Sequence, residues 1–393
     1  MFKGVHLKLL IGPTVPVPAP YHITNAITSI EITNTDSGRD GFQISLKIGR
    51  EGNAGSFGSI GGKNNSSKFF LDFNLLNHPL LQPFNRIIII VTINTLRRVL
   101  FDGLITNIQV KASDTPRGGS NLVIIGEDLS VIMGIKEIPE TYENLSDDQI
   151  VFKIISSYAK YGIIPLVVPP LTSYTPTIAE KLPCKAGTDF DFLQELAAKN
   201  DYIFFVEPTD VPGVNIAYWG PKELKYRPKN PLNVNMGPDT NVSSLSFQYD
   251  ALKPISISGI IRIPFTDIRV PLKVGLSSRS PLASKSVSDL NQGNTREIKF
   301  RLDGLNFSES FIEAQSLVNQ SMDSVSSSGE LDITRYGDIL RARSTVFVRG
   351  SGLTNDGIYY VKSVTHNIKP TQYYTQSFEL TREGLGTTLQ RIT

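Results

Sequence analysis

Residues 87–93, Ile-Ile-Ile-Ile-Val-Thr-Ile, constrain the fold more than any other stretch. β-branched side chains are stiff at χ1 and favour extended backbone. A strand this apolar on both faces must be covered on both. The run is far short of the roughly 18–20 apolar residues that span a membrane. The chain therefore needs a sheet with covered faces. Phe42–Ile48 supplies a neighbour, because Phe42, Ile44, Leu46 and Ile48 alternate with Gln43, Ser45 and Lys47. That is the period of a half-buried strand. Ile30 and Ile32 alternate in the strand before it, and Ser37–Gly41 makes the turn. Phe101-Asp102-Gly103 reads as a second turn, leading into strands at Leu104–Val110 and Asn121–Ile125. Short strands at such spacing predict a small barrel or sandwich over residues 1–135.

The period then becomes helical. Ser146-Asp147-Asp148-Gln149 has the form of a capping box, and Ile150, Val151, Ile154, Ile155 and Tyr158 follow as an apolar stripe. Gly162 supplies a left-handed stop. A second helix is predicted from Thr188, with Asp189 and Asp191 favourable to its dipole and Phe192, Leu193, Leu196 and Ala197 as its buried face. Tyr202–Val206 returns to strand, so residues 136–245 read as a compact α/β module. From 246 to 393 the chain is β again, with one long helix over about 308–327. Its face carries Phe311, Ala314, Val318, Met322 and Val325, and Ser326-Ser327-Ser328-Gly329 is predicted to end it. The Ser-rich segment 277–294 reads as a mobile surface loop. The closing strands are Ser344–Val348, Gly357–His366 and Tyr373–Thr381.

Composition removes several classes of function. The 393 residues are 40% hydrophobic, enough for a real core, and only 19% charged. With 39 basic and 37 acidic residues the net charge is +2, which is no footprint for a dedicated nucleic-acid binder. Cys184 stands alone, so no internal disulfide forms, and one Cys with four His leaves no zinc site of the Cys/His type. Leu9–Ile11 is too short for a signal h-region, and Pro13, Pro16, Pro18 and Pro20 break any helix there. The chain is expected to remain in the cytoplasm or to leave by another route. The sequons at Asn64, Asn65, Asn144, Asn241, Asn306 and Asn319 are read as chance.

Signatures of catalysis fail. Gly52–Lys63 invites a phosphate-loop reading, but Phe57 stands where Gly is needed and Asn64 follows Lys63 instead of Ser or Thr. Ala54-Gly55-Ser56-Phe57-Gly58 is close to a nucleophile elbow without the helix that should follow. His6, His22 and His78 have no partner at ligand spacing, and His366 in its strand reads as a structural histidine. Asp147, Asp148, Asp189 and Asp191 are explained by helix N-termini. Trp219 and the 14 Tyr read as core or interface. No catalytic, cofactor or metal site is expected.

Two segments echo each other. Phe101-Asp102-Gly103-Leu104-Ile105 leads to Glu127-Asp128-Leu129, as Asn355-Asp356-Gly357-Ile358-Tyr359 leads to Leu380-Thr381-Arg382-Glu383. Two related barrels would produce such an echo, although Asp-Gly turns are common.

The C-terminal run carries a resemblance. It comprises Tyr336-Gly337-Asp338, Val346–Gly352, Asp356–Val361, Val364-Thr365-His366 and Tyr374–Arg382. It resembles the closing barrel of the phage late-control D family, the tail hub proteins of contractile phages, related to the hub part of type VI secretion spike proteins. Lys185–Ala197 with Tyr202–Val206 resembles the family's mid-chain helix and strand, and Pro16–Pro20 with the strands after it resembles its opening barrel. Segments 52–62 and 277–294 have no counterpart in the family pattern.

The resemblance implies a mainly β fold (α+β), with two tail-tube-like β-barrels, at 1–135 and 246–393, flanking the α/β module at 136–245. It implies a homotrimeric ring in a virion baseplate or tail-like particle, assembled in the bacterial host cytoplasm. The ring would join a six-fold tail tube to a three-fold spike and nucleate tube assembly. The expected partners are a spike on a separate polypeptide, the tail tube protein and other baseplate proteins, with DNA only as cargo through the lumen. Gly55, Phe57, Gly58, Ile60, Ser277, Ser280 and Leu282 are the candidate partner contacts, since neither of their segments has a packing period of its own. A tail-associated cell-wall or glycan hydrolase and a carbohydrate-binding adhesin are the competing readings.

Overall fold

The computed structural model describes residues 5–13, 15–48, 75–111, 120–170, 175, 183–222, 230–262, 268–291, 294–301, 307–370 and 372–388. Its first strands are β1 (Val5–Gly12), β2 (Ile27–Thr35), β3 (Gly41–Ile48), β4 (Arg86–Ile93), β5 (Leu96–Lys111) and β6 (Ser120–Asp128). The central module holds α1 (Asp147–Ser156), β7 (Ile163–Val167), α2 (Asp189–Lys199), β8 (Tyr202–Pro208) and β9 (Asn215–Pro221). After it come β10 (Val242–Tyr249), β11 (Ile255–Arg262), β12 (Arg269–Val274), β13 (Arg296–Arg301) and α3 (Phe307–Ser321). The chain closes with β14 (Val325–Asp332), β15 (Ser344–Arg349), β16 (Gly357–Lys369) and β17 (Tyr373–Arg382).

Both ends of the chain build one large sheet, in the order β10-β14-β17-β16-β2-β3-β6-β5-β4-β1, with β15 on a branch beside β16. One core underlies it, holding Ile32, Phe42, Ile87 and Ile124 from the first part and Val346, Tyr359, Val364 and Leu380 from the last. The isoleucine run behaves as its composition requires: Ile87, Ile89, Val91 and Ile93 enter this core, while Ile88 and Ile90 pack with Val99 on the other face. In the central module, α1 and α2 cover β7, β8 and β9 around Ile150, Ile155, Leu193, Phe204 and Trp219. The capping box at Ser146 and the Thr188 cap form as the sequence predicts. A third layer places Ala314 and Val318 of α3, with Met322 just after it, over Ile257, Leu272 and Val274.

Four expectations change. Phe101-Asp102-Gly103 is not a turn but the middle of the long strand β5, and the reversal occurs at Asn94, which takes φ 54°. Glycine is needed at 103 for close approach, since a Cβ there would lie 2.1 Å from the Glu127 carbonyl oxygen. The long helix ends at Ser321, and Ser326-Ser327-Ser328-Gly329 lies in β14, paired on both sides by β10 and β17. There small side chains fit, because a Cβ on Gly329 would meet the Ser244 carbonyl oxygen at 2.4 Å. Phe311 stays exposed. Segment 277–291 is packed down, with Leu282, Ala283 and Val287 buried and Ser286 capping a short helix. Finally, the large sheet closes into no barrel among the described residues. The outer edge of β2, which self-closure would need, is occupied by β16 from the far end of the chain.

Candidate functional site

The structure contains a duplication, but not in the register of the sequence echo: the bulges match Ile105 to Val361, so Gly103 stands opposite Tyr359 in the comparison and not opposite Gly357. In chain order, β2 to β6 make one five-stranded unit with spatial order β2-β3-β6-β5-β4. The strands β10, β14, β15, β16 and β17 make another, ordered β10-β14-β17-β16-β15. The connectivity is the same in both. Irregularities coincide as well. The first strand of each unit slips register against the second, between Ile27 and Ser29 in one and between Val242 and Ser244 in the other. The long fourth strand slips against the fifth between Ile105 and Asn107, and between Val361 and Ser363. Phe84 and Arg343 precede the third strands with left-handed φ of 65° and 59°. Each donates its N–H over 2.8 Å, to Ile105 and Val361 respectively. Bulges re-aim strands and persist as built features of a fold, so this agreement marks two copies of one module.

The modules join at the bulge on Lys362. Before it, β16 pairs with β15; after it, the same edge of Ser363–Ile368 pairs with Thr35–Ile30 of β2. Asp36 donates its N–H to the Lys362 carbonyl at 3.0 Å. Arg343 fastens the seam. Its Nε and Nη2 donate to the Thr35 carbonyl at 3.0 and 2.6 Å, Nη2 lies 2.5 Å from Asp40 Oδ1, and the guanidinium stacks 4.1 Å over Phe205 of the central module. Burial alone would lower its pKa, but the carboxylates of Asp40 and Glu207 outweigh this and raise it. Asp128 accepts from the Asp40 and Ser130 N–H groups at 2.6 and 2.7 Å. Burial, with Asp40 close by, pushes its carboxyl up to about 7.

Other arginines tie in the central module. Arg86 holds Asp102 through Nε and Nη2 at 2.6 and 2.8 Å and donates to the carbonyls of Tyr161 and Gly213. Arg279 grips Asp201 and reaches Asp323 at 3.3 Å. These last residues line a cleft of about 450 Å³ with Asp36, Lys222 and Lys362. Its charges pair with one another: Lys222 lies 3.0 Å from Asp36 and 3.5 Å from Asp323, and Lys362 lies 3.1 Å from Glu379. A cleft so neutralised is a seam between parts of the chain and offers a charged substrate little.

The sequence-predicted residues are scattered. Gly55, Phe57, Gly58 and Ile60 lie outside the described residues. Ser277 donates to Asn319 at 3.1 Å, Leu282 is buried beside Ile358 and Tyr360, and Ser280 is exposed. His366 is buried, its Nδ1 2.7 Å from the Tyr374 hydroxyl, as a structural histidine should be. His22 and His78 meet at 3.3 Å; the Leu80 N–H donates to Nδ1 of His78, so the neutral His78 ring carries its proton on Nε2 and donates to His22. Among the described residues no cluster of three or more His, Cys, Asp or Glu could hold a metal. Asp189 accepts from Tyr158 at 2.6 Å and from Lys185. Sequence reasoning missed Arg343, Asp40 and the free strand edges, which only the pairing of distant segments creates.

Several strand edges have no strand partner among the described residues, two of them at places that the duplication relates to the seam. On the side where β16 carries β2, the matching stretch of β5, Asn107–Lys111, has no strand partner among the described residues. The outer edge of β10 is likewise unpaired at the end of the sheet.

No protein-family model matches the chain, and no curated protein matches it in sequence. Solved structures do. A tail protein from Neisseria meningitidis MC58 superposes with TM-score 0.59 at 11% identity, over 98% of each chain. The 43 kDa tail protein of prophage MuSo2 from Shewanella oneidensis gives 0.61 at 12% identity, over 96% of this chain and 98% of that one. The c3393 protein of E. coli gives 0.53 at 11% identity, over 91% and 73%; it is a component of the type VI secretion system with structural similarity to the T4 tail proteins gp27 and gp5. The chain thus has the fold of these tail and secretion-system proteins.

Proposed function

We propose that the chain is a structural, non-enzymatic hub of a contractile tail or tail-like injection system, working as a ring of three copies. The duplication carries this reading. With two equivalent modules per chain, three copies present six equivalent units to a six-fold tail tube. The central module and the α3 layer occur once per chain and so match a three-fold spike. The two tube-like barrels implied by the resemblance correspond to the two modules, whose closure would be completed between copies. The shared fold with tail and type VI secretion proteins supports the assignment. A charged content of 19% suits extensive contacts, because charges are depleted at interface cores. Its place is the virion or tail-like particle, with a separate spike, the tube protein and other baseplate proteins as partners. The Gly-rich segment with Gly55 and Phe57, and exposed Ser280, are assigned to partner contacts.

Native mass and negative-stain imaging of the purified chain test this. The expected result is a three-fold ring with a central hole at three chain masses, binding co-expressed spike. A chain that stays monomeric with co-expressed spike overturns it.

A further inference from the structure

We propose that the outer face of the three-stranded sheet β12-β11-β13 docks on an anionic lipid surface. The repeat shows that this layer is an addition. Between the first two strands of the first module, β2 and β3, the chain spends only residues 36–40. Between their counterparts, β10 and β14, it spends residues 250–324, which hold this sheet and α3. One module forms without such a layer, so the layer serves something other than the module's own packing. Its charge is local too. Residues 251–301 contain nine Lys or Arg and three Asp or Glu, in a chain of net charge +2.

The two faces of the sheet differ in chemistry. Cross-strand partners share a face, and successive residues alternate between faces. Ile257, with Val274 and Ile298 opposite it, faces α3. Ser258 therefore faces outward, with Lys273 and Lys299 as its partners on either side. Steps of two and four residues along the strands add Ile260, Arg269 and Glu297 to the same face. Lys273, Lys299 and Arg269 are exposed. Lys222, Arg279 and Lys362 each hold a carboxylate; among the described residues these three hold none. A basic patch attracts any polyanion, and the apolar residues decide which. Ile260 and Ile268, at the hairpin end of the sheet, are 62% and 57% exposed. Nucleic-acid phosphates offer them nothing apolar, and among the described residues the face has no aromatic side chain on which a base could stack. An anionic bilayer meets both needs, with phosphate headgroups for the cations and the acyl boundary for isoleucine.

Sedimentation of the full chain with vesicles of equal parts phosphatidylglycerol and phosphatidylcholine tests this. The chain should pellet with these vesicles, be released by added salt, and stay in solution with phosphatidylcholine alone. A basic residue near such a surface is worth about 1 kcal/mol, or about fivefold, so Lys273→Ala/Lys299→Ala should weaken binding ~25-fold. Ile260→Ser should weaken it several-fold and leave its salt dependence unchanged. Lys136→Ala/Lys160→Ala, at exposed lysines of the central module, should bind as wild type does. All of these positions are exposed, so each variant should keep the wild-type melting temperature. No pelleting with anionic vesicles, pelleting unchanged by Lys273→Ala/Lys299→Ala or by Ile260→Ser, or an equal loss with Lys136→Ala/Lys160→Ala would each overturn the proposal. Retention of a duplex DNA fragment through Lys273 and Lys299, without vesicle binding, would overturn it in favour of a nucleic-acid face. Vesicle binding needs no ring, so this face stands or falls apart from the hub function.

Discussion

Phe84 and Arg343 occupy the same place in the two halves of the large sheet, yet Phe84 is 62% exposed and Arg343 8%. Both begin a hairpin on a left-handed backbone and both donate to the carbonyl just before a bulge. The difference is β2, whose Thr35 meets Arg343 from 308 residues away in sequence, with Asp40 after it taking up the charge.

Removing that arginine should be severe. Arg343→Met leaves the Asp40 carboxylate buried without its partner, and breaking a buried pair from one side costs about 3–5 kcal/mol. Urea unfolding would show it, and Arg343→Met with Asp40→Asn should recover part of the loss. A double variant no better than the single would mean that packing over Phe205, and not charge, sets the cost.

Arg382 tests geometry in place of charge. It is fully buried, stacks 4.2 Å over Tyr359, and donates to the carbonyls of Thr354, Gly386 and Asp356. Lysine keeps the charge but cannot reach three carbonyls from one plane. Arg382→Lys should therefore lose about 2–4 kcal/mol, most of what Arg382→Ala loses, with losses of this kind expected for broken buried networks. Thermal melts of the two variants compare them directly.

Gly103→Ala should destabilise by about 1–3 kcal/mol, the range for overpacking. The new Cβ would meet the Glu127 carbonyl oxygen, Phe101 Cε1 at 2.6 Å and Asp128 Cα at 2.9 Å, two of them backbone atoms that cannot swing aside. A denaturation midpoint equal to wild type would show that β5 and β6 can separate at this point.

Acid should weaken the fold through His366. Burial, then Arg341, lowers its pKa to about 3 from an ordinary 6.5. The unfolded chain thus binds a proton that the folded chain refuses, and stability present above pH 6.5 falls by up to about 1.4 kcal/mol per pH unit down to about 3. Asp128 acts oppositely: its carboxyl is held near 7, so protonation below that favours the folded state. His366→Asn keeps an acceptor for Tyr374 and removes the first effect alone. Its stability between pH 6.5 and 4 should decline less steeply than that of wild type; parallel curves would show that His366 does not titrate on unfolding.

Local features were legible in the sequence because they depend on neighbours in the chain. The alternation of Phe42–Ile48, the cap at Ser146 and the stripe Ile150–Ile155 each report their own surroundings. What escaped depends on remote backbone. Gly103 looked like a turn residue because close approach and positive φ select the same amino acid. Ser326–Gly329 looked like a helix end because serine's fit between two strands leaves no mark on periodicity. Leu282 looked free because its cover, Ile358 and Tyr360, lies far along the chain. The duplication survives in bulge positions and backbone angles, while the side chains that would announce it have diverged. The candidate surface was invisible for the same reason: an open edge is defined by a strand that does not arrive.

The seam between β2 and β16 also sets a timetable for synthesis. Thr33 and Thr365, whose hydroxyls meet at 3.1 Å, are 332 residues apart. At about 5–20 residues per second, roughly twenty seconds to a minute separate their emergence from the ribosome. Throughout that interval the edge of β2 is bare in a crowded cell, holding the pattern that another nascent copy could grasp. The first module must therefore wait for its own C-terminus, and whatever shields that edge in the meantime decides between a finished subunit and a tangled one.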